Sequence, residues 1–274
     1  MRSAAGAISM SECSPDAFAM AGRTGNPMNV VAVIQHTAGE YLGLIEDHLE
    51  GRRIRFQYFR PFAGGRKLPA PELPADAMIL LGGGPWGSAG GRDLPTLGAE
   101  IELTRRRLAE GTPVIGFGLG AQILALAAGG GSEACDLRFR ASTVTRTRAD
   151  ALNGFLPATF TQVIYMRDFP LPPDGAAVLA EDEAGRPAVF RVGDNAYGFL
   201  GNPGIKLGMV EDLIMEFEEV PENTAEGLEL LRGLQRKIED ELVPIMTGLV
   251  QCTALMSAPR AAGQSGRELD SPVI

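Results

Sequence analysis

The sequence predicts an α/β fold with a doubly wound parallel sheet, a small antiparallel sheet and a C-terminal helical extension. Two observations lead to this prediction. In the first half of the chain, short apolar runs alternate with helix-like segments, and glycines follow the apolar runs as they do at the carboxyl ends of parallel strands. The second half changes to short alternating segments separated by turn sequences, before a long stretch of helical apolar periodicity.

Composition limits the classes of function. The 274 residues suit one large domain, or one domain with an appendage. A net charge of -9 argues against non-specific binding to nucleic acid or to an anionic membrane surface. No apolar run approaches the ~20 residues that a membrane-spanning helix needs. The three cysteines are far apart and predict neither a disulfide framework nor a metal site, so we expect a reducing, cytoplasmic compartment and no cofactor.

The chain divides into four predicted regions. Residues 1–27 are rich in small residues without periodicity, so we expect a disordered tail, and residues 257–274 are expected to form a second tail. Residues 28–206 are predicted to form the α/β domain, and residues 207–256 the helical extension. Met28 directly precedes the first predicted strand, so both Met1 and Met28 remain candidate starts.

The first half contains three predicted strands and two predicted helices before its central turn. The apolar runs at residues 29–34 and 77–81 predict buried strands, and the alternation at residues 54–58 predicts another. Apolar residues spaced by three and four predict helices over residues 40–49 and 97–110. This alternation places the functional site at the carboxyl edge of the parallel strands.

The central stretch, residues 111–131, reads GTPVIGFGLGAQILALAAGGG. It predicts the end of a buried strand, a tight glycine turn over residues 116–120 and an apolar helix over residues 121–128. Such a turn lifts one residue above the sheet edge at a helix N-terminus, and in enzymes that residue is the nucleophile. Here the central residue is Gly118, which has no side chain.

The rest of the chain predicts an antiparallel meander, packed beside the parallel sheet, and then helices. Short alternating segments predict the strands of the meander, at residues 142–146, 163–165, 178–180, 188–191 and 197–200. A helix is predicted over residues 207–219. Apolar residues then recur every three or four positions over residues 228–249, and Pro244 is expected to kink or break that helix.

This apolar stripe has two interpretations. It packs on its own domain, or its near-heptad spacing makes it a homodimer or partner-binding helix. For the second interpretation, the candidate assembly residues are Leu231, Ile238 and Leu242.

The segment GFGLGAQ, residues 116–122, resembles the nucleophile motif G-x-C-x-G-x-Q of class I glutamine amidotransferases. The resemblance covers roughly residues 30–204. The Gly83-Gly84 loop resembles the family's oxyanion loop, and the phrases LPPDGAAVLA (residues 171–180) and AYGFLGNPG (residues 196–204) are similar to the stand-alone, GMP-synthase-like subfamily. The resemblance implies a flavodoxin-like fold.

The resemblance also implies that the catalytic triad is lost. In the family, a cysteine attacks the carboxamide of glutamine, and a histidine oriented by a glutamate moves the proton. The matching positions here are Gly118, Asn202 and Gly204. The subfamily's W-H-x-D motif occurs as YMRD, of which only Asp168 remains. The resemblance therefore predicts no glutaminase activity.

Part of the family's pocket is expected to survive. The N–H of Leu119 and the Gly83-Gly84 loop would form an anion-friendly pocket at a helix N-terminus. Gln122 occupies the family's glutamine-contacting position, or it is simply a polar residue tolerated at the start of a helix.

Three further side chains, at His36, Glu40 and Asp168, are candidates for the rim of the site, and His36 has a structural alternative. Three functions follow as hypotheses. The first is an inactive homologue that serves as a structural or regulatory subunit, through a protein partner or a homo-oligomer on the C-terminal helix. The second is a protein that binds a small carboxylate or amide such as glutamine or glutamate. The third is an enzyme with different chemistry in the same cleft, supported only by acidic residues such as Asp168 and Glu40.

Overall fold

The computed structural model describes residues 29–64, 68–70 and 72–256, so both predicted tails lie outside the described residues. Its strands are β1 (Val30–Ile34), β2 (Arg55–Phe59), β3 (Ala77–Leu80), β4 (Val114–Phe117), β5 (Gly131–Glu133), β6 (Arg138–Arg146), β7 (Thr159–Met166), β8 (Phe169–Leu171), β9 (Ala177–Glu181), β10 (Pro187–Val192) and β11 (Ala196–Phe199). Its helices are α1 (Leu44–Gly51), α2 (Leu97–Ala109), α3 (Leu119–Ala127), α4 (Leu207–Glu216) and α5 (Thr224–Cys252).

The predicted parallel sheet is confirmed. Strands β2, β1, β3, β4 and β11 are neighbours in that order, and each pair is parallel. Strands β3 and β4 are buried along their whole length, as expected for short apolar runs covered on both faces. The order reverses direction at β1 and β3, which is the topology of a doubly wound fold.

The antiparallel strands continue this sheet. Strand β10 pairs with β11, and β9, β6 and β7 follow, so the whole sheet has nine strands. We expected the meander to pack beside the parallel sheet; hydrogen bonding along β11 joins the two parts instead. A separate two-stranded antiparallel sheet consists of β5 and β8.

Two helix layers cover the sheet. Alternate residues of the parallel strands point to opposite faces, so Val31 and Val33 join one core while Met78 and Leu80 join the other. Helices α1 and α5 pack on the first face, and α2 and α3 on the second.

No helix in the described part of the chain has the length and hydropathy that crossing a bilayer requires.

Helix α5 runs without interruption through Pro244, so the expected break is absent. Proline removes one backbone hydrogen bond from a helix. Here the flanking residues Leu242 and Ile245 are both buried in the main core, and their packing holds the helix together across the proline.

The apolar stripe of α5 packs within the chain itself. Leu231 and Ile238 are buried in a cluster that includes Met209 and Leu213 of α4. Leu242 is buried in the core beneath the parallel sheet. The three residues predicted as an assembly surface are therefore core residues in this conformation, because helix α4 and the sheet already cover them.

Candidate functional site

The predicted elbow lies between β4 and α3. Gly118 has φ 56° and ψ −115°, a backbone conformation open mainly to glycine. Its N–H donates to the carbonyl of Phe199 at 2.9 Å, and the N–H of Gly120 donates to the carbonyl of Leu81 at 3.1 Å. These two bonds tie the turn to the chain on both sides of β4, so the elbow is built into the carboxyl edge of the sheet.

The three glycines of the turn have different roles. A Cβ at Gly116 would lie 2.3 Å from the carbonyl oxygen of Gly120, and a Cβ at Gly120 would lie 2.1 Å from that of Leu80. Both positions therefore require glycine for close packing. At Gly118 the nearest atom to an added Cβ is the Cα of Gly82, at 3.5 Å, which is an ordinary contact. The elbow thus has room for a side chain at the position where this chain has none.

The glycine loop, residues 82–84, follows β3 and faces the start of α3. The side chain of Leu119 packs over Gly83, because a Cβ there would lie 2.3 Å from Leu119 Cδ2. The N–H of Leu119 is among those that a helix N-terminus leaves without an intrahelical partner. Gly84 has φ 55°, and its N–H donates to the Glu40 carboxylate. The loop lies against the start of α3, but the Glu40 carboxylate already accepts the hydrogen bond of the Gly84 N–H, so this donor is not free for a ligand.

Glu40 is a buried carboxyl group against this loop. A Cβ on Gly82 would lie 2.0 Å from Glu40 Oε1, so the carboxyl group lies directly against that residue. Burial raises the pKa of Glu40 to about 7, although the Gly84 N–H and the nearby His36 both act to lower it. Glu40 can therefore gain or lose a proton near neutral pH.

His36 is a buried side chain in contact with the glycine loop. Burial acts to lower the pKa of His36, but the Glu100 carboxylate, the Gly82 carbonyl and the charge of Glu40 together raise it above its usual value. Its Nδ1 lies 3.0 Å from the carbonyl oxygen of Gly82, and its Nε2 lies 2.7 Å from Glu100 Oε2. The Thr96 hydroxyl donates to the other oxygen of Glu100 at 2.6 Å. This buried chain orients the Gly82 peptide and engages both ring nitrogens of His36, the predicted rim residue, within the protein.

Gln122 and Asp168 hold loops in place. The Gln122 amide donates to the carbonyl of Arg167 at 2.7 Å, and its oxygen accepts from the Ser88 hydroxyl at 2.6 Å. The Asp168 carboxylate accepts the N–H of Ser88 at 2.8 Å and that of Cys135 at 3.1 Å. Both side chains are almost wholly buried, so their polar atoms join the loops around the elbow to one another.

Asn202 and Gly204 follow β11 at the same sheet edge. The Asn202 side-chain oxygen accepts the N–H of Gly204 at 2.8 Å. Its Nδ2 is buried and has no hydrogen-bond partner among the described residues. A Cβ at Gly204 would lie 2.6 Å from Ile45 Cγ1 and 3.0 Å from the carbonyl oxygen of Leu42. The backbone at Gly204 is therefore packed against the start of α1, with no space for a larger residue.

Tyr165 adds a second unpaired polar group. Its hydroxyl is buried and lacks a hydrogen-bond partner within the described part of the chain. Burial, and then the charges of Glu40 and Glu219, raise the pKa of Tyr165, so the phenol stays neutral. Tyr165 lies in the cluster that contains Met209 and Leu213 of α4.

The end of α4 and the residues after it cover the site. A Cβ at Gly84 would contact Leu213 Cδ2 at 3.0 Å and the Phe217 ring at 3.3 Å. Beyond them, Glu219 forms an ion pair with Arg92 at 2.7 Å. Gly84 lies beneath this cover, and the glycine loop, the elbow and Asn202 are all buried.

Sequence reasoning missed Glu100 and this cover. Glu100 lies three residues after Leu97 and three before Leu103, so helical spacing alone would have placed it on the buried face of α2. The cover depends on how α4 packs over a distant loop, and no local pattern indicates that.

In the described residues, no group of three or more His, Cys, Asp or Glu side chains is arranged to hold a metal ion.

Comparison with known proteins supports the fold. Neither the models of known protein families nor the sequences of curated proteins give a match to this chain. The structure is similar to a glutamine amido transferase from Methylobacillus flagellatus, with a TM-score of 0.69 and 20% identity over 88% of this chain and 100% of that chain. It is similar to a glutamine amidotransferase from Thermotoga maritima to the same degree, over 83% of this chain and 99% of that chain. The chain therefore has the flavodoxin-like α/β fold of the glutamine amidotransferases.

Proposed function

We propose that this protein is a catalytically inactive relative of the glutamine amidotransferases. The observation that carries the proposal is the elbow at Gly118. Its backbone angles and hydrogen bonds are those of a turn that presents a nucleophile, and there is room for a side chain. Glycine supplies no atom that could attack a carboxamide. Removing the nucleophile from hydrolases of this kind costs on the order of a millionfold in rate.

The other two positions of the triad strengthen the proposal. The amide of Asn202 has no useful titration, so it cannot serve as a general base. Gly204 has no carboxyl group, and its packing against Ile45 leaves no space for one. Proton transfer by the family's mechanism would therefore fail even if a nucleophile entered the site.

No neighbouring side chain replaces the nucleophile. Cys135 is half-buried, and burial raises the pKa of its thiol, which leaves less of the reactive thiolate. The Asp168 carboxylate accepts hydrogen bonds from three backbone N–H groups, so its oxygens are already engaged in holding loops. Glu40 has the pKa of an acid–base group but is itself bound to the glycine loop. Different chemistry in the same cleft thus has only Glu40 in its favour.

A structural or regulatory role in a protein complex is the function that we assign to such a chain. The contact to a partner or to a second copy would use residues other than Leu231, Ile238 and Leu242, since the core contains those three. Affinity purification of the full chain from its source, with mass spectrometry, tests this role. We expect a stoichiometric partner or a defined homo-oligomer; a monomer that captures nothing would contradict it.

Binding of a small amide or carboxylate is a second candidate, favoured by one specific observation. Asn202 Nδ2 and the Tyr165 hydroxyl are both buried without a partner in the described residues. Buried polar groups of this kind usually bond to protein, water or a ligand. Both atoms can donate a hydrogen bond, which suits a ligand with carbonyl or carboxylate oxygens.

Thermal unfolding in the presence of glutamine, glutamate or glycine separates the two candidates. Ligand binding predicts a higher melting temperature with glutamine or glutamate than with glycine, and loss of that shift in Asn202→Ala and Tyr165→Phe. No shift with any of the three, at millimolar concentrations, would remove the second candidate and leave the first.

A further inference from the structure

A shallow pocket lies away from the elbow, where a short 3-10 turn (Ala151–Gly154), strands β10 and β11 and the end of α5 meet. Its volume is about 250 Å³ when the open space at its mouth is included. Its polar lining consists of Arg148, Asp150, Asn153, Arg191, Tyr197 and Cys252. No residue of the elbow or of the glycine loop lines it. The pocket is therefore separate from the site discussed above.

Arg191 is the charged residue inside the pocket. It lies on β10 opposite Tyr197 of β11. Its Nε is shielded from solvent and has no hydrogen-bond partner among the described residues. A guanidinium group is always charged in proteins and can only donate hydrogen bonds. The guanidinium hydrogen-bonds to the Tyr197 side chain, but its Nε is left without an acceptor among the described residues.

The backbone that lines the pocket is strained. Leu152 has φ 50° and ψ 46°, Asn153 has φ 56° and ψ 31°, and Gly154 has φ 84°. Consecutive left-handed residues persist only where the surroundings impose them, and they concentrate at ligand sites. Helix α5 packs closely against this turn, because a Cβ at Gly248 would lie 2.6 Å from Leu152 Cβ.

The charged side chains that line the pocket have a net positive charge. Arg148 forms an ion pair with Asp150 at 3.0 Å, and both side chains are more than half exposed. Such surface pairs contribute little stability, so Arg148 can exchange this partner for another anion. With Arg191 inside, the pocket has two positive charges and one negative charge, in a chain whose net charge is -9.

From the free Arg191 donor, the strained turn and this charge balance, we infer that the pocket binds a small oxyanion. Guanidinium groups suit the planar or tetrahedral oxygen arrangements of carboxylate and phosphate. The space inside the pocket that a water-sized group can reach is only about 20 Å³, so only a small ligand fits it. Inorganic phosphate and acetate are the two probes that separate a phosphate site from a carboxylate site.

Isothermal titration calorimetry of the full chain, at constant ionic strength set with chloride, tests the inference. We expect one phosphate or one acetate to bind per chain, with the tighter of the two defining the class. Arg191→Met should weaken binding by roughly tenfold or more, as for a lost hydrogen bond to a charged group. Asp150→Asn should strengthen binding about threefold, because it removes a competing carboxylate.

Arg140→Met is the matched control, since Arg140 also forms an exposed ion pair, with Glu183, but does not line the pocket. It should leave binding unchanged. Should Arg191→Met fail to fold, Arg191→Lys and Asp150→Asn provide the same test, and the lysine variant is expected to bind more weakly than wild type. No binding of either anion, equal weakening in Arg140→Met, or an Asp150→Asn variant that binds no tighter than wild type would overturn the inference.

Discussion

Gly118→Cys is expected to leave the protein folded but without glutaminase activity. A Cβ at this position would lie 3.5 Å from Gly82 Cα and 4.0 Å from the carbonyl oxygen of Leu200, so packing alone tolerates it. The remaining cost is the backbone conformation, φ 56° and ψ −115°. For a residue other than glycine, that cost is about 1–3 kcal/mol of the free energy of unfolding.

Gly120→Ala is the matched comparison within the same turn. Its Cβ would lie 2.1 Å from the carbonyl oxygen of Leu80, closer than any real contact. Since that oxygen belongs to the backbone of β3, the strand or the helix must move. Overpacking of this kind costs roughly 3 kcal/mol or more when backbone has to shift.

Urea unfolding followed by circular dichroism measures both losses, with Gly118→Ala as a second variant at the elbow. The expected order of stability is wild type, then the two Gly118 variants, then Gly120→Ala. In an ammonia-release assay, Gly118→Cys should give no turnover, because Asn202 cannot act as a base. Equal destabilisation by Gly118→Cys and Gly120→Ala would refute the conclusion that the elbow has room at position 118.

Three further predictions concern other parts of the structure. Leu231→Ala should lower the free energy of unfolding by about 2–5 kcal/mol. Leu230→Ala is the control, because its side chain on the same helix is 51% exposed, and it should change that free energy by less than about 0.5 kcal/mol. Equal effects of the two variants in urea unfolding would contradict the packing of α5. Gly204→Glu should also destabilise the protein, because its side chain would meet Ile45, and a variant as stable as wild type would show that the triad's third position is still open. The pKa of Glu40 is raised from 4.5 to about 7, so between these pH values the folded state keeps a proton that the unfolded state releases. The contribution of protonated Glu40 to the free energy of unfolding is complete below pH 4.5 and is lost as the pH rises through 7. Wild type should therefore lose roughly 3 kcal/mol relative to Glu40→Gln over that range, and parallel pH profiles of stability would show that the Glu40 carboxyl is not buried as described.

Local pattern was sufficient to predict the elbow. The run of glycines at 116, 118 and 120 lies between an apolar strand and an apolar helix, and the structure places the turn there. Gly116 and Gly120 are required by backbone contacts shorter than 2.5 Å to an added Cβ, which explains why the motif has glycine at those positions. The sequence pattern could not show that position 118 has space for a side chain, because that depends on the distance to Gly82 in the loop after β3.

The sequence was less informative where a pattern has two physical outcomes. The spacing of leucines in α5 fits packing against its own domain or against another chain, and only the contacts with α4 and the sheet decide that Leu231 is a core residue. Pro244 was expected to interrupt the helix, yet burial of its neighbours keeps α5 continuous. Likewise, short alternating strands do not reveal whether they extend a parallel sheet or form another, since both arrangements bury one face of each strand.

Ammonia release from glutamine by the purified, full-length protein tests the central conclusion most directly. Wild type should give no turnover above the rate of buffer containing glutamine alone, because the elbow presents Gly118 where a nucleophile is needed. The same preparation should show a cooperative unfolding transition, so that inactivity is measured on folded protein. Turnover that a single substitution beside the elbow abolishes, such as Glu40→Gln or Asn202→Ala, would contradict the conclusion and identify the cleft as an active site.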